Sequence, residues 1–151
     1  MGQKLEDEIK TSKFRNAWHK AILNLMVTTN HISQLNNMVF KEYNLTAAQY
    51  NVLRILRGQL PQPCTILSIR ERMLDKMSDT SRIVERLRKA GLIDRISCDK
   101  DRRAVDVCIT EKGLDLLNSM QKEEEKLDHV LSALSLEEAE QLNVLLEKAR
   151  G

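Results

Sequence analysis

The chain has 151 residues, of which 42% are hydrophobic and 30% are charged, and its net charge is +2. This size and balance predict one folded domain and exclude a disordered chain. No stretch is apolar enough to span a bilayer, and residues 1–14 lack the apolar region of a secretory signal, so we expect a cytoplasmic protein without membrane contact.

Charge is distributed unevenly along the chain. Residues 70–103 contain eleven basic and seven acidic side chains, a net charge of +4, whereas residues 111–151 contain five basic and ten acidic ones, a net charge of −5. A basic segment beside an acidic one indicates that the basic segment meets a polyanion.

Cysteine and histidine are too scattered to indicate a disulfide framework or a metal site. Cys64, Cys98 and Cys108 are odd in number and lack CxxC spacing, so we expect free thiols. Oxidation of Cys98 beside a charged hairpin is the alternative. The three histidines include no pair four residues apart, so no metal and no cofactor are expected.

Apolar residues recur at helical spacing over about residues 4–43 and predict one long helix or two nearly continuous ones. A polar stretch at residues 28–31 predicts a kink. The apolar stripe is wider than one side of a small domain needs, which indicates an additional interface. Its main positions are Phe14, Trp18, Ala21, Leu25, Ile32, Leu35 and Val39, and it is widened by Ala17, Ile22, Met26 and Met38.

A helix-turn-helix follows. Thr46 and Gln49 form a capping box that begins a helix ending at Gly58. Thr65 caps a short helix, and after a tight turn at Asp75 a second short helix ends at Gly91. The apolar positions of the first short helix are Ile66, Ile69, Met73 and Leu74, and the buried face expected for the second is Met77, Thr80, Val84 and Leu87.

A β-ribbon and two helices complete the chain. Residues 92–98 and 104–109 are predicted to be the two arms of the ribbon, with a charged tip between them. Apolar and polar side chains alternate along the second arm. Thr110 caps a long helix, and a Ser135–Glu138 capping box begins a last helix that ends at Ala149. The predicted fold class is mainly α with a small β-ribbon wing: a winged helix-turn-helix with long terminal helices.

The second short helix carries the chemistry of a DNA reader. One face is apolar, and the other presents cations near its amino-terminal end, where side chains reach base edges and phosphates. The charged ribbon tip could enter the minor groove. The predicted DNA contacts are Lys76, Ser78, Asp79, Ser81, Arg82, Arg86, Lys100, Arg102 and Arg103. The alternative is a solvated helix face with surface pairs of Glu85 to Arg82 and Lys89.

The ordered motifs resemble the multiple-antibiotic-resistance regulator (MarR) family. They are Leu45, Thr46, Gln49, Val52 and Leu53, then Thr65 and Ile69, then Ser81, Arg82, Val84, Arg86, Leu87, Gly91, Leu92, Ile93 and Arg95, then Asp101, Arg102, Arg103, Ala104, Val105, Ile109, Thr110, Lys112, Gly113 and Leu117. The resemblance implies a regulator of transcription that binds double-stranded DNA at a palindromic operator, by family habit a repressor released by a small effector.

The resemblance also implies a homodimer held by the terminal helices. Residues 1–45 and 111–151 would form the dimerisation regions, and residues 46–110 the DNA-binding region. An ordinary intrachain core is the competing interpretation. The dimer contacts expected are Phe14, Trp18, Ala21, Leu25, Leu127, Leu131, Leu134, Leu142 and Leu145.

The sequence also bears on an effector cleft and on two other functional classes. The cleft residues expected are Trp18, Ile22, Met26, Tyr43, Tyr50 and Arg54, with a purely structural role as the alternative. No nucleophile–base pair and no phosphate-binding glycine loop is present, so an enzyme is not expected. A dimeric helical module that binds protein rather than an operator is the second alternative, and the cationic wing argues against it.

Overall fold

The computed structural model describes residues 2–97 and 105–151. They divide into two compact units. We call Met1–Leu35 with Glu123–Gly151 the terminal unit, and Asn36–Lys122 the central unit. None of the helices in the described residues is both long and apolar enough to cross a membrane.

The secondary structure follows the predicted order. The helices are α1 (Leu5–Glu8), α2 (Ala17–Glu42), α3 (Ala47–Gln59), α4 (Ile66–Arg72), α5 (Thr80–Lys89), α6 (Glu111–Ser119), α7 (Gln121–Asp128) and α8 (Leu136–Arg150), with a 3₁₀ turn at His129–Leu131. The strands are β1 (Cys64–Thr65), β2 (Ile93–Ser97) and β3 (Val105–Ile109).

The break in the first helical region lies before α2. Asn16 caps α2, since its side-chain oxygen accepts a hydrogen bond from the backbone N–H of His19 at 2.8 Å. Lys10 in the preceding segment has a φ of 56°. Phe14 therefore precedes the helix, although the sequence placed it on the helical stripe. The kink expected at residues 28–31 does not interrupt α2, which is helical throughout.

The predicted caps are confirmed. Thr46 and Gln49 exchange hydrogen bonds of 2.9 and 3.1 Å at the start of α3. Thr65 and Thr110 accept backbone N–H bonds at the starts of α4 and α6. Ser135 and Glu138 form the second capping box. These bonds satisfy backbone donors that a helix leaves unpaired at its amino terminus.

The turn of the helix-turn-helix is longer than the sequence predicted. α4 ends at Arg72 and α5 begins only at Thr80, so Leu74 and Met77 lie outside both helices with 89% and 91% of their surface exposed. The predictions that Leu74 lies on the first short helix and that Met77 is buried were wrong. Polar side chains hold the turn: Asn51 accepts from the N–H of Leu74, and Asp75 accepts from the N–H of Met77, both at 2.9 Å.

The sheet belongs to the central unit and contains one strand that the sequence did not indicate. Its order is β1–β3–β2, and both pairings are antiparallel. β2 and β3 are the two predicted ribbon arms, with Ile93 opposite Ile109 and Ser97 opposite Val105. The two-residue strand β1 pairs Cys64 with Val107.

One core holds the central unit together. Val84 and Leu87 of α5 are at most 1% exposed, as is the predicted Thr80. They are buried together with side chains of α3, α4, the sheet and α6, namely Val52, Leu53, Leu56, Ile69, Ile93, Val107 and Leu117. The long helix expected after Thr110 is instead divided into α6 and α7 at Met120, which is fully buried.

Candidate nucleic-acid interface

Helix α5 has one buried and one cationic face. Thr80, Val84 and Leu87 point into the core, whereas Arg82 and Arg86 are exposed. Among the described residues, none pairs with the guanidinium of Arg82 or Arg86. The two cations are therefore available to an anion from outside the described chain.

The amino-terminal end of α5 is fixed by a cap. The carboxylate of Asp79 accepts a hydrogen bond from the backbone N–H of Arg82 at 3.2 Å. Asp79 is expected as a DNA contact from the sequence, and in the structure its carboxylate holds the backbone from which Arg82 projects. Ser81 is exposed in the first turn, where free helix N–H groups also favour anions.

Two further predicted contacts precede the cap. Lys76 is exposed, and its ammonium group donates to the backbone carbonyl of Glu71. Ser78 is half-buried, and its backbone N–H donates to the carbonyl of Asp75 at 3.2 Å. Both residues thus lie in the ordered turn beside the start of α5.

Glu85 is the one acidic residue of α5, and two arginines neutralise it. Its carboxylate accepts two bonds from Arg88, at 3.1 and 2.8 Å, and a third from Arg95 of β2 at 3.1 Å. The hydrogen bond from Arg88 holds the pKa of Glu85 below its usual value, and Glu85 raises the pKa of Arg88. The surface pairs observed differ from the Arg82 and Lys89 pairs considered from the sequence.

The described part of the wing consists of its two strands, β2 and β3. β2 and β3 pair along their full length beside α5. Lys100, Arg102 and Arg103, the predicted contacts at the tip, lie outside the described residues, as does Cys98. Their role stays a prediction.

The described cysteines are free thiols. Cys64 is buried and Cys108 is half-buried, and desolvation raises the pKa of both thiols. A raised pKa keeps a thiol protonated and poorly nucleophilic at neutral pH. Within residues 2–97 and 105–151, no group of three or more metal-ligating side chains comes together.

The predicted effector residues divide between the two units. Trp18, Ile22 and Met26 lie on α2 in the terminal unit and are 78%, 53% and 57% exposed. Tyr43, Tyr50 and Arg54 lie in the central unit, where the Tyr50 ring stacks on Phe40 with centroids 4.4 Å apart. The effector site therefore stays a prediction.

The terminal unit exposes much of its apolar surface. Leu5 is the one buried residue among its described helices, and α8 buries none. Of the expected dimer contacts, Leu25, Leu131 and Leu145 are 43%, 41% and 62% exposed. The sequence did not single out Leu136 and Val144, which are 78% and 63% exposed.

Helix α4, a turn and the capped, amphipathic helix α5 are followed by the antiparallel pair of strands β2 and β3. This order defines a winged helix-turn-helix protein. A family model described as the MarR family matches residues 43–104. The transcriptional regulator PecS of Dickeya dadantii is 30% identical over 117 residues, which cover 76% of this chain and 70% of PecS. The chain therefore belongs to the MarR family of transcriptional regulators.

Solved structures agree with this assignment. The MarR transcription factor from Planctomyces limnophilus is 29% identical, with a TM-score of 0.68 over 89% of this chain and 98% of that one. A mutant MarR from E. coli, solved with operator DNA, is 21% identical and shares the fold, with a TM-score of 0.76 over 97% and 99% of the two chains.

Proposed function

We propose that this protein binds double-stranded DNA at a palindromic operator as a homodimer and regulates transcription in the cytoplasm, as a repressor rather than an enzyme. The observation that carries the proposal is the cationic face of α5. Its opposite side is anchored in the core, its own carboxylate is neutralised by Arg88 and Arg95, and Arg82 and Arg86 stay exposed. An α-helix of this kind fits the major groove of B-DNA.

The wing provides the second contact of the proposal. β2 and β3 extend from the side of α5 toward residues 98–104, whose sequence contains Lys100, Arg102 and Arg103. Arginine is favoured in a narrow minor groove because the negative potential is concentrated there. We propose that α5 reads bases while the wing contributes affinity and sets the register.

Dimerisation is supported by the terminal unit. Trp18, Ile22 and Leu25 follow one another on α2 at spacings of four and three residues. All three side chains are more than two-fifths exposed. Contiguous exposed apolar surface of this kind marks a protein interface. Two-fold symmetry would place two copies of α5 in half-sites roughly one helical turn apart.

We also propose that a small effector releases the protein from DNA, and the resemblance to the MarR family supports this part of the proposal. Trp18 is the sole tryptophan of the chain, so its fluorescence is a direct probe. Small aromatic acids that change this fluorescence and weaken operator binding at the same concentrations would support an effector site. Release without any fluorescence change would place the site away from Trp18.

Selection of bound fragments from genomic DNA at physiological salt tests DNA recognition. We expect an enriched palindrome, and we expect Arg82→Ala to weaken its binding by on the order of 1–3 kcal/mol, because a bidentate arginine contact to guanine is lost. Lys148→Ala on α8 is the matched loss of one positive charge, and it should bind as the wild type does. A selection that enriches no sequence would favour a protein-binding module instead.

A further inference from the structure

The junction between α5 and the wing contains a cluster of charged side chains. Glu85 and Arg88 lie on α5, and Arg95 lies on β2. Nε and Nη2 of Arg88 bind the two oxygens of Glu85 at 3.1 and 2.8 Å, and Nη2 of Arg95 binds Oε2 at 3.1 Å. One carboxylate thus holds two guanidinium groups side by side. We call these three residues the junction cluster.

The position of this cluster matters if the proposed function is correct, and the inference rests on it. A helix in the major groove and a wing in the adjacent minor groove are separated by one phosphodiester strand. That DNA strand has to cross between the two elements, and the junction cluster lies where α5 and β2 are in contact. Phosphate contacts at such positions fix the register of a protein on DNA.

The two arginines retain the capacity to bind a phosphate. A guanidinium has five N–H donors, of which the bonds to Glu85 use two in Arg88 and one in Arg95. Their side chains are 41% and 46% exposed. We propose that Arg88 and Arg95, oriented by Glu85, bind a backbone phosphate of the DNA strand that passes between α5 and the wing.

Neighbouring charges define the role of each group. Asp94 accepts a hydrogen bond from the backbone N–H of Arg95 at 2.8 Å, and its charge also acts on Arg88, whereas Lys89 acts on Glu85. The carboxylates of Glu85 and Asp94 and the three cations Arg88, Lys89 and Arg95 together have a net charge of +1. Glu85 is therefore a positioning residue. Its negative charge lowers the attraction between the junction cluster and a phosphate, but its hydrogen bonds hold both guanidinium groups in place.

The test is the salt dependence of DNA binding by Arg95→Ala, measured on the selected operator and on unrelated DNA. We expect affinity to fall roughly three- to tenfold on both, and the slope of log K against log salt to become shallower by about 0.9, as for the loss of one phosphate contact. Arg95→Lys should keep most of the slope because it keeps the charge. Lys148→Ala is the control for charge alone.

A second readout locates the contact. Operators with a single neutral methylphosphonate should weaken wild-type binding at one phosphate in each half-site, and Arg95→Ala should be insensitive there. If Arg95→Ala keeps the wild-type slope and methylphosphonate profile, the cluster only fastens β2 to α5 and the inference is wrong. If the wild type itself shows no salt-dependent binding to any DNA, the proposed function fails instead.

Discussion

Replacing Gly113 with alanine is expected to destabilise the protein by at least about 3 kcal/mol, because a buried overlap with backbone cannot be relieved by a side-chain movement. A Cβ at Gly113 would lie 2.3 Å from the carbonyl oxygen of Leu92 and 2.7 Å from Cγ1 of Ile109. That carbonyl cannot easily move, since it accepts the N–H of Thr110 at 3.1 Å where α6 begins. Urea denaturation followed by circular dichroism measures the loss.

Gly58 is the matched control for this substitution. It lies near the end of α3, and no atom lies within 4 Å of the Cβ that alanine would add. Gly58→Ala should therefore leave the free energy of unfolding unchanged or raise it by up to about 1 kcal/mol, through helix propensity and the smaller entropy of the unfolded chain. Equal stabilities for the two variants would contradict the close approach of α6 to Leu92.

The second large effect concerns the exposed apolar face of α2. Trp18→Asp combined with Leu25→Asp should convert the proposed dimer to a monomer, because charges would then lie in an apolar interface. A monomer can occupy only one half-site, so operator affinity should fall by about 10²- to 10⁴-fold through the loss of bivalency. Analytical ultracentrifugation and operator titration of the same samples measure both quantities.

Met38 provides a control outside this face, although the sequence placed it at the edge of the apolar stripe. It is 68% exposed on the same helix, but it lies roughly 160° around the helix axis from Trp18 at 100° per residue. Met38→Asp should keep the dimer and the affinity. If the double variant stays dimeric, the interface lies elsewhere, and if the wild type is a monomer the dimer proposal is wrong.

Features encoded by local chemistry could be predicted from the sequence. The caps at Thr46, Thr65, Thr110 and Ser135 depend on residues within one helical turn, and all four are confirmed. The stop at Gly91 is confirmed in the same way, since its φ of 77° favours glycine. Strand β3 could be predicted because apolar and polar side chains alternate between neighbouring residues of Val105–Ile109.

Features that depend on distant residues could not be predicted in this way. Met77 was expected in the core from its spacing, but the bond from its N–H to Asp75 and the cap at Asp79 move the start of α5 beyond it. β1 has two residues, too few for a period-two pattern, and it exists because β3 pairs with it. Arg95 bonds Glu85 across ten positions of the sequence, which helical spacing cannot indicate.

The structure also supplies a physical reason for one motif. In the sequence, Gly113 belongs to the residues that resemble the MarR family, and neither its spacing nor its neighbours indicate why glycine is present. The 2.3 Å distance from its Cβ position to the oxygen of Leu92 shows that α6 begins against the backbone that precedes β2. A glycine is needed there because no larger residue leaves room for that approach.

The proposed function requires that α5 enters the major groove in two symmetry-related half-sites. Guanine N7 methylation interference on the selected operator tests it most directly, because the methyl group is added in the major groove. We predict two sets of interfering guanines centred roughly one helical turn apart for the wild type, and a weaker pattern at the Arg82 position for Arg82→Ala. Operator binding that is indifferent to N7 methylation at every guanine would contradict the claim.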